Sequence, residues 1–284
     1  MTDRPPVYRL LVSCPDQPGI IAAVSQYLFG AGANIIHSDQ HSSDPSGGEF
    51  FLRMEFTADG ATLQGMRDGF AEVGDRFEMD WHIYDAAEPK RLVLMVSKLD
   101  HCLLDLLWRT RRGELNATIE CVVSNHTDVR EDVEAFGIDF HHLPVTKDAK
   151  AQAEHQLVEL IGGRCDAVVL ARYMQILSGE LLERLAVPVI NVHHSLLPAF
   201  PGAGPYERAR ERGVKLIGAT AHYVTEELDA GPIIEQAVSR VSHRDDVGSL
   251  KRVGATTERD VLARAVRWHC DDRVVRHGNT TVVF

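Results

Sequence analysis

No run of about 18 apolar residues occurs in this chain, so nothing in it suits a membrane-spanning helix. Nor does any pair of cysteines form a C-x-x-C motif. Cys14, Cys102, Cys121, Cys165 and Cys270 are scattered and odd in number. That pattern fits reduced thiols and argues against a disulfide framework or a zinc ribbon. An excess of basic charge is also missing, with 30 Lys+Arg against 41 Asp+Glu and a net charge of −11. Binding a polyanion requires a basic surface, so a nucleic-acid role is disfavoured. The opening Met1-Thr2-Asp3-Arg4-Pro5-Pro6 lacks the charged-then-apolar order of a signal peptide, and the expected location is the cytoplasm.

What is present is the composition of an ordinary globular protein, and 284 residues suffice for two domains with cores of their own. Acidic charge is concentrated at the start. Residues 1–88 carry 5 Lys+Arg against 14 Asp+Glu, net −9, and the remainder 25 against 27, net −2. This step supports a boundary near Glu88-Pro89-Lys90, with domains over 1–88 and 89–284.

In the first part, Val7–Cys14 alternates as a strand does, and Asp16-Gln17-Pro18-Gly19 is a turn that opens a helix. Ile20, Val24 and Leu28 form the buried stripe of that helix, and Gly30-Ala31-Gly32 ends it. Strands over Asn34–His41 and Glu49–Phe56 flank a turn at Ser43–Gly48. A helix over Ala61–Val73 and a strand over Glu78–Tyr84 follow, giving the order βαββαβ. On Asp16-Gln17-Pro18-Gly19-Ile20, Gly32-Ala33-Asn34-Ile35 and the Gly47–Met54 strand, this segment resembles an ACT domain, a ferredoxin-like sensing module that pairs with copies of itself. The resemblance implies contacts to an amino-acid effector at Asp16, Gln17, Gly19 and Asn34, and a homo-oligomer, dimer or tetramer. Gly19 and Asn34 serve turn geometry equally well.

From Arg91 onward strands and helices alternate. Leu92–Ser97 is a continuous apolar run of the kind buried on both faces of a parallel sheet. A helix over Cys102–Trp108, a strand over Ala117–Ser124 and a short helical turn over Asp132–Phe136 come next. Strands at Phe140–Pro144, Ala167–Ala171 and Val187–Val192, with a helix over Gln152–Ile161, complete the reading. The fold class is therefore α/β, a doubly wound and mostly parallel sheet, whose ligands sit at the carboxyl ends of the strands.

Within this part, Ile190-Asn191-Val192-His193-His194-Ser195-Leu196-Leu197-Pro198 and Leu228-Asp229-Ala230-Gly231-Pro232 carry the chemistry. Residues two apart in a strand share a face, so Asn191 and His193 project together, and the Asp229 turn can bring a carboxylate to them. An amide donor, an imidazole and a carboxylate make an acyl-transfer site: oxyanion stabiliser, proton carrier and the anion that tunes it. Alternation turns His194 away from His193, which makes a two-histidine chelate a poor fit there and at His141-His142. No catalytic metal is expected. Leu197-Pro198 is a candidate cis bond at a tight turn.

Ala171-Arg172-Tyr173-Met174-Gln175-Ile176-Leu177-Ser178, the Asn191–Pro198 segment, and Gly218–Val224 through Asp229–Pro232 resemble the folate-dependent formyltransferase family. An ACT-like unit in front, together with Ser97–Cys102, Ser124-Asn125-His126 and the terminal Gly278–Phe284, is similar to its formyltetrahydrofolate deformylase branch. The resemblance implies hydrolysis of 10-formyltetrahydrofolate to tetrahydrofolate and formate, with folate as substrate and no cofactor. It assigns Met174, Gln175, Ile176, Leu177 and Leu228 to the folate pocket, although Ile176 and Leu177 also suit the core at a helix start. Asn191 would stabilise the oxyanion. His193 would share that role and deliver a proton to N10. Asp229 would favour the imidazolium and orient the water or take its proton. His222 would support Asp229, or simply pack in its strand. Relatives that formylate glycinamide ribonucleotide carry a glycine-rich phosphate loop after the first strand. Here the loop reads Ser97-Lys98-Leu99-Asp100-His101 and favours water over a nucleotide amine. Formyl transfer to a small amine such as glycinamide ribonucleotide, or a non-catalytic folate and amino-acid sensor, are the alternatives.

Overall fold

A computed structural model describes residues 5–44, 47–146, 148–198 and 205–284. The turn expected at Ser43–Gly48 falls partly outside these. The chain forms two compact units, the first of residues 1–89 with 271–277 and 282–284, the second of residues 90–270 with 278–281.

The first unit runs β1 (Val7–Pro15), α1 (Ile20–Gly30), β2 (Asn34–Ser42), β3 (Glu49–Thr57), α2 (Leu63–Arg76) and β4 (Asp80–Asp85). Its antiparallel sheet has the order β2-β3-β1-β4. Period-two alternation in β1 buries Tyr8, Leu10, Val12 and Cys14. They pack against the four-residue stripe of α1, Ile20, Val24 and Leu28, and against Met66 and Phe70 of α2. On β3 the buried Arg53 binds Glu55 at 2.6 Å and donates to the carbonyls of Asp271 and Asp272 at 3.0 and 2.8 Å. Two carbonyls and an anion thereby satisfy a guanidinium that would be costly to bury alone.

The second unit begins with β5 (Lys90–Val96), α3 (His101–Arg111), β6 (Ala117–Ser124), α4 (Arg130–Ala135), β7 (Phe140–His142) and α5 (Lys150–Ile161). It continues with β8 (Ala167–Leu170), α6 (Gly179–Leu185), β9 (Val189–His193), α7 (Pro205–Glu211), β10 (Leu216–Tyr223), β11 (Ile233–Arg240) and α8 (Val247–Cys270). A two-stranded ribbon, β12 (Val274–His277) with β13 (Thr280–Val283), closes the chain. The seven-stranded sheet has the order β11-β10-β9-β8-β5-β6-β7. Strands β9, β8, β5, β6 and β7 are parallel, and β10 and β11 are antiparallel additions. Continuous burial of Leu92–Val96 and Ala167–Leu170 follows from helices covering both faces.

Helix α8 is 24 residues long and was not foreseen from the sequence. Its inward stripe of Leu250, Gly254, Thr257, Glu258, Val261, Ala265 and Val266 keeps helical spacing but includes a glycine, a threonine and a glutamate. A hydrophobic pattern cannot register those positions as buried. No helix among the described residues is long and apolar enough to cross a membrane.

Candidate active site

The parallel strands β8, β5 and β6 lie side by side, and the loops at their carboxyl ends are tied together by one serine. Ser97, just past β5, donates from Oγ to Asn125 Oδ1 at 2.8 Å and accepts from the Met174 amide at 2.9 Å. Its own amide donates to the Arg172 carbonyl at 3.2 Å. Ser97, Asn125 and the 172–174 loop are thus held as one buried platform.

At the end of β9, Asn191 and His193 share a face, and the register with β10 sets Asn191 opposite His222 and His193 opposite Thr220. His222 Nδ1 donates to the Tyr223 carbonyl at 2.9 Å, because a carbonyl can only accept. In the neutral ring Nε2 is then the acceptor, and it takes an N–H from the Asn191 amide at 3.2 Å. The second amide hydrogen of Asn191 stays available. His193 is 7% exposed and its Nδ1 stands 3.2 Å from Asp229 Oδ2. His193 Nε2 is buried and has no hydrogen-bond partner among the described residues. With Nδ1–H committed to Asp229, that nitrogen is the one free to take up or give a proton.

Asp229 sits at φ 56°, in the left-handed region, on the loop from β10 to β11. The loop is pinched shut where the Tyr223 amide donates to the Pro232 carbonyl at 2.9 Å. A Cβ on Gly231 would lie 1.9 Å from the Tyr223 carbonyl oxygen, so only glycine permits this closure. The hydrogen bond from His193 is the first cause that holds the Asp229 carboxyl well below the usual carboxylate range. His222 lies 3.7 Å from Asp229 Oδ1 and so touches both Asn191 and the carboxylate.

Two expectations need correction. His222 lies within β10, and β10 runs antiparallel to β9. His222 and Asp229 therefore reach the site from the antiparallel part of the sheet, not from the end of a parallel strand. His194 does not turn away from His193: the rings stack at 5.1 Å with 28° between their planes. Strand β9 ends at His193, and alternation ends with it. Burial, with the positive charge of Arg172 next, pushes His194 down to about 4, so the ring is neutral at neutral pH and adds no charge beside His193. The Leu197–Pro198 bond is cis.

A second polar cluster, missed in the sequence, adjoins these histidines. The His194 ring lies 6.1 Å from that of Tyr206, whose hydroxyl donates to Glu258 Oε1 at 2.7 Å. Glu258 Oε2 accepts from His101 at 2.8 Å and lies 3.4 Å from Arg172 Nε. Burial raises the Glu258 carboxyl, but the His101 bond, the Arg172 charge and the Tyr206 hydroxyl outweigh it and bring it to about 2. Arg172 sits at φ 66° and is 9% exposed. Its one legible signal was a cation directly after the buried strand Ala167–Ala171.

Of the residues assigned to the folate pocket, Met174, Ile176 and Leu228 are large apolar side chains left exposed, and Gln175 is half-buried. Leu177 is buried in the core with Leu181 and Leu185. In the first unit, Asp16 accepts a hydrogen bond from the Ser42 hydroxyl, while Gln17, Gly19 and Asn34 are exposed.

Residues 90–266 match the family described as formyl transferase, and residues 8–64 match the ACT domain. A formyltetrahydrofolate deformylase of Mycobacterium bovis is 57% identical over 97% of this chain and 90% of the relative. The chain belongs to the formyltetrahydrofolate deformylase family. A crystal structure of a deformylase from Pseudomonas syringae pv. tomato has a TM-score of 0.96 at 50% identity and covers 100% of this chain and 96% of that one. A glycinamide ribonucleotide transformylase from Symbiobacterium toebii is similar over 71% of this chain and 97% of its own, with a TM-score of 0.65 at 30% identity. The deformylase likeness thus takes in the ACT part as well, and the transformylase likeness leaves over a quarter of the chain unmatched.

Proposed function

We propose that this chain hydrolyses 10-formyltetrahydrofolate to tetrahydrofolate and formate, with Asn191, His193 and Asp229 as the catalytic residues and His222 positioning the amide. The observation that carries the reading is the His193–Asp229 pair, 3.2 Å apart, beside an amide already oriented by His222. Water attacks the formyl carbon and its oxygen forms the new C–O bond. The formyl oxygen gains negative charge and is met by the free N–H of Asn191, a contact of the kind worth about 2.7–4 kcal/mol.

Asp229 Oδ2 faces His193 Nδ1 at 3.2 Å, a contact that lowers the basicity of the carboxylate, and its role is electrostatic. It compensates the charge that the His193 ring gains. His193 Nε2 takes a proton from the attacking water and gives it to N10 as the C–N10 bond breaks, leaving tetrahydrofolate and formic acid, whose remaining proton passes to solvent to give formate. Met174, Ile176 and Leu228, together with Gln175 and Leu177, belong to the folate side, where a flat pterin needs apolar walls and a few polar contacts. In the first unit, Asp16, Gln17, Gly19 and Asn34 contact an amino-acid effector, and the chain assembles as a homo-oligomer. No cofactor is required by this sequence of steps.

The test is formate release from 10-formyltetrahydrofolate with no amine present, for the wild type and for Asp229→Asn. Turnover in the first that collapses in the second supports the reading. Turnover by the wild type only when an amine is supplied overturns it.

A further inference from the structure

Water and amines compete for the same carbon in this chemistry, and two unlike sets of residues stand on the loops that carry the site. Along the 174–176 loop and at Leu228 the exposed side chains are large and apolar. From His194, contact passes to Tyr206, then Glu258, then Arg172 and His101, at 6.1, 2.7, 3.4 and 2.8 Å. Tyr206, Glu258 and Arg172 are each at most 9% exposed. Arg172 follows β8 and His101 opens α3 past β5, at the carboxyl ends where an open α/β sheet holds its ligands, and Tyr206 of α7 and Glu258 of α8 join them there.

Three observations bear on what this cluster does. First, Arg172 adopts φ 66°, a conformation that disfavours any residue with a Cβ and is retained where the surroundings over-determine it. Second, a Cβ on Gly254 of α8 would fall 1.9 Å from the Tyr206 hydroxyl oxygen, so α8 is notched to let Tyr206 reach Glu258. Third, Arg172 Nε and Nη1 are buried without a hydrogen-bond partner among the described residues, although Nε lies within ion-pair distance of Glu258. Buried donors left over in a site call for a small acceptor such as a water oxygen. A protonated amine would meet a like charge there, and a bulkier one would meet Tyr206.

We propose that Arg172, backed by Glu258 and Tyr206, is the acceptor-selecting residue: it reserves the space beside the formyl carbon for water and nucleophiles of its size and shuts out larger amines. The inference rests on the hydrolytic reading above. In the reaction it suppresses, the amine nitrogen would bond to the formyl carbon, the C–N10 bond would break, and one amine proton would pass to N10.

The experiment measures how formyl groups partition between formate and N-formylglycinamide, with 10-formyltetrahydrofolate and added glycinamide. It compares the wild-type protein with Arg172→Gly/Glu258→Gln. The double change suits the backbone at 172 and leaves no lone buried charge. The share of N-formylglycinamide is expected to rise by about tenfold or more over wild type. A folded double variant that still yields formate alone overturns the proposal. A companion measurement needs no variant: wild type offered hydroxylamine or glycinamide should formylate the smaller nucleophile and spare the larger. Equal use of both overturns the proposal even if the double variant fails to fold. Absence of acceptor-free formate release by the wild type would instead overturn the hydrolytic reading itself.

Discussion

Asn191 of β9 stands directly opposite His222 of β10, and its amide nitrogen lies 3.2 Å from His222 Nε2. The imidazole is anchored from behind by the Tyr223 carbonyl, so it fixes which face of the amide is presented. If the two act as one device, their losses must overlap. Asn191→Ala is expected to lower kcat by about 10²–10³. His222→Ala should lower it nearly as far, and the double variant little further than the worse single one. Formate-release rates for the four proteins provide the cycle. Additive losses would separate His222 from the amide.

Gly231 closes the loop that carries Asp229. Its missing Cβ lets the loop close on the Tyr223 carbonyl, and any larger residue forces the strand end and the loop apart. Displacing a reacting group by about 1 Å can cost on the order of 10²-fold in rate. Gly231→Ala is therefore expected to cut kcat by that order while the protein remains folded by circular dichroism. Wild-type turnover in that variant would show that Asp229 does not depend on this turn.

Asp229 and Glu258 both have carboxyls held below their ordinary range, Asp229 chiefly by His193. For Glu258, burial acts in the opposite direction and is outweighed by His101, Arg172 and Tyr206. A depressed carboxyl stabilises the fold fully above its unfolded value, about 4. That stabilisation is lost as the pH falls toward the folded value, about 2 for Glu258. The thermal midpoint should be nearly flat above that unfolded value and fall steeply below it. Glu258→Gln should fall less steeply over the same window, whatever its midpoint at neutral pH. An unchanged acid slope would mean that Glu258 is not ionised in the folded protein.

How far the site could be read before the fold was known depended on whether local geometry decided the matter. Alternation alone brings Asn191 and His193 to one face, and the structure holds them so. The same rule failed one residue later at His194, because β9 ends at His193 and the ring then folds back to stack. Strand direction is a tertiary property, so β10 could not be recognised as antiparallel from its sequence. The Arg172–Glu258 cluster stayed hidden for a related reason: its members come from a loop after β8 and from a helix stripe that admits Gly254, Thr257 and Glu258. Charged residues buried by mutual pairing leave no hydrophobic trace in sequence.

Thr220 is the least conspicuous residue on which the site depends. It faces His193 across the β9–β10 register and is fully buried. Its hydroxyl donates to the Ser195 carbonyl at 2.9 Å and accepts from the Leu197 amide at 3.1 Å and from Gln236 Nε2 at 2.9 Å. One oxygen thus fastens the turn that follows His193 and His194 to the neighbouring strand. Thr220→Val keeps the shape and removes all three bonds. Each such bond contributes about 0.5–1.5 kcal/mol. Denaturant unfolding should show a loss of at least about 1 kcal/mol. Because the turn carries the histidine pair, kcat should fall with it, while KM for the folate, whose proposed apolar contacts lie at Met174, Ile176 and Leu228, should change little. A stability loss with kcat intact would make Thr220 a packing residue only, and would leave the orientation of His193 to Asp229 alone.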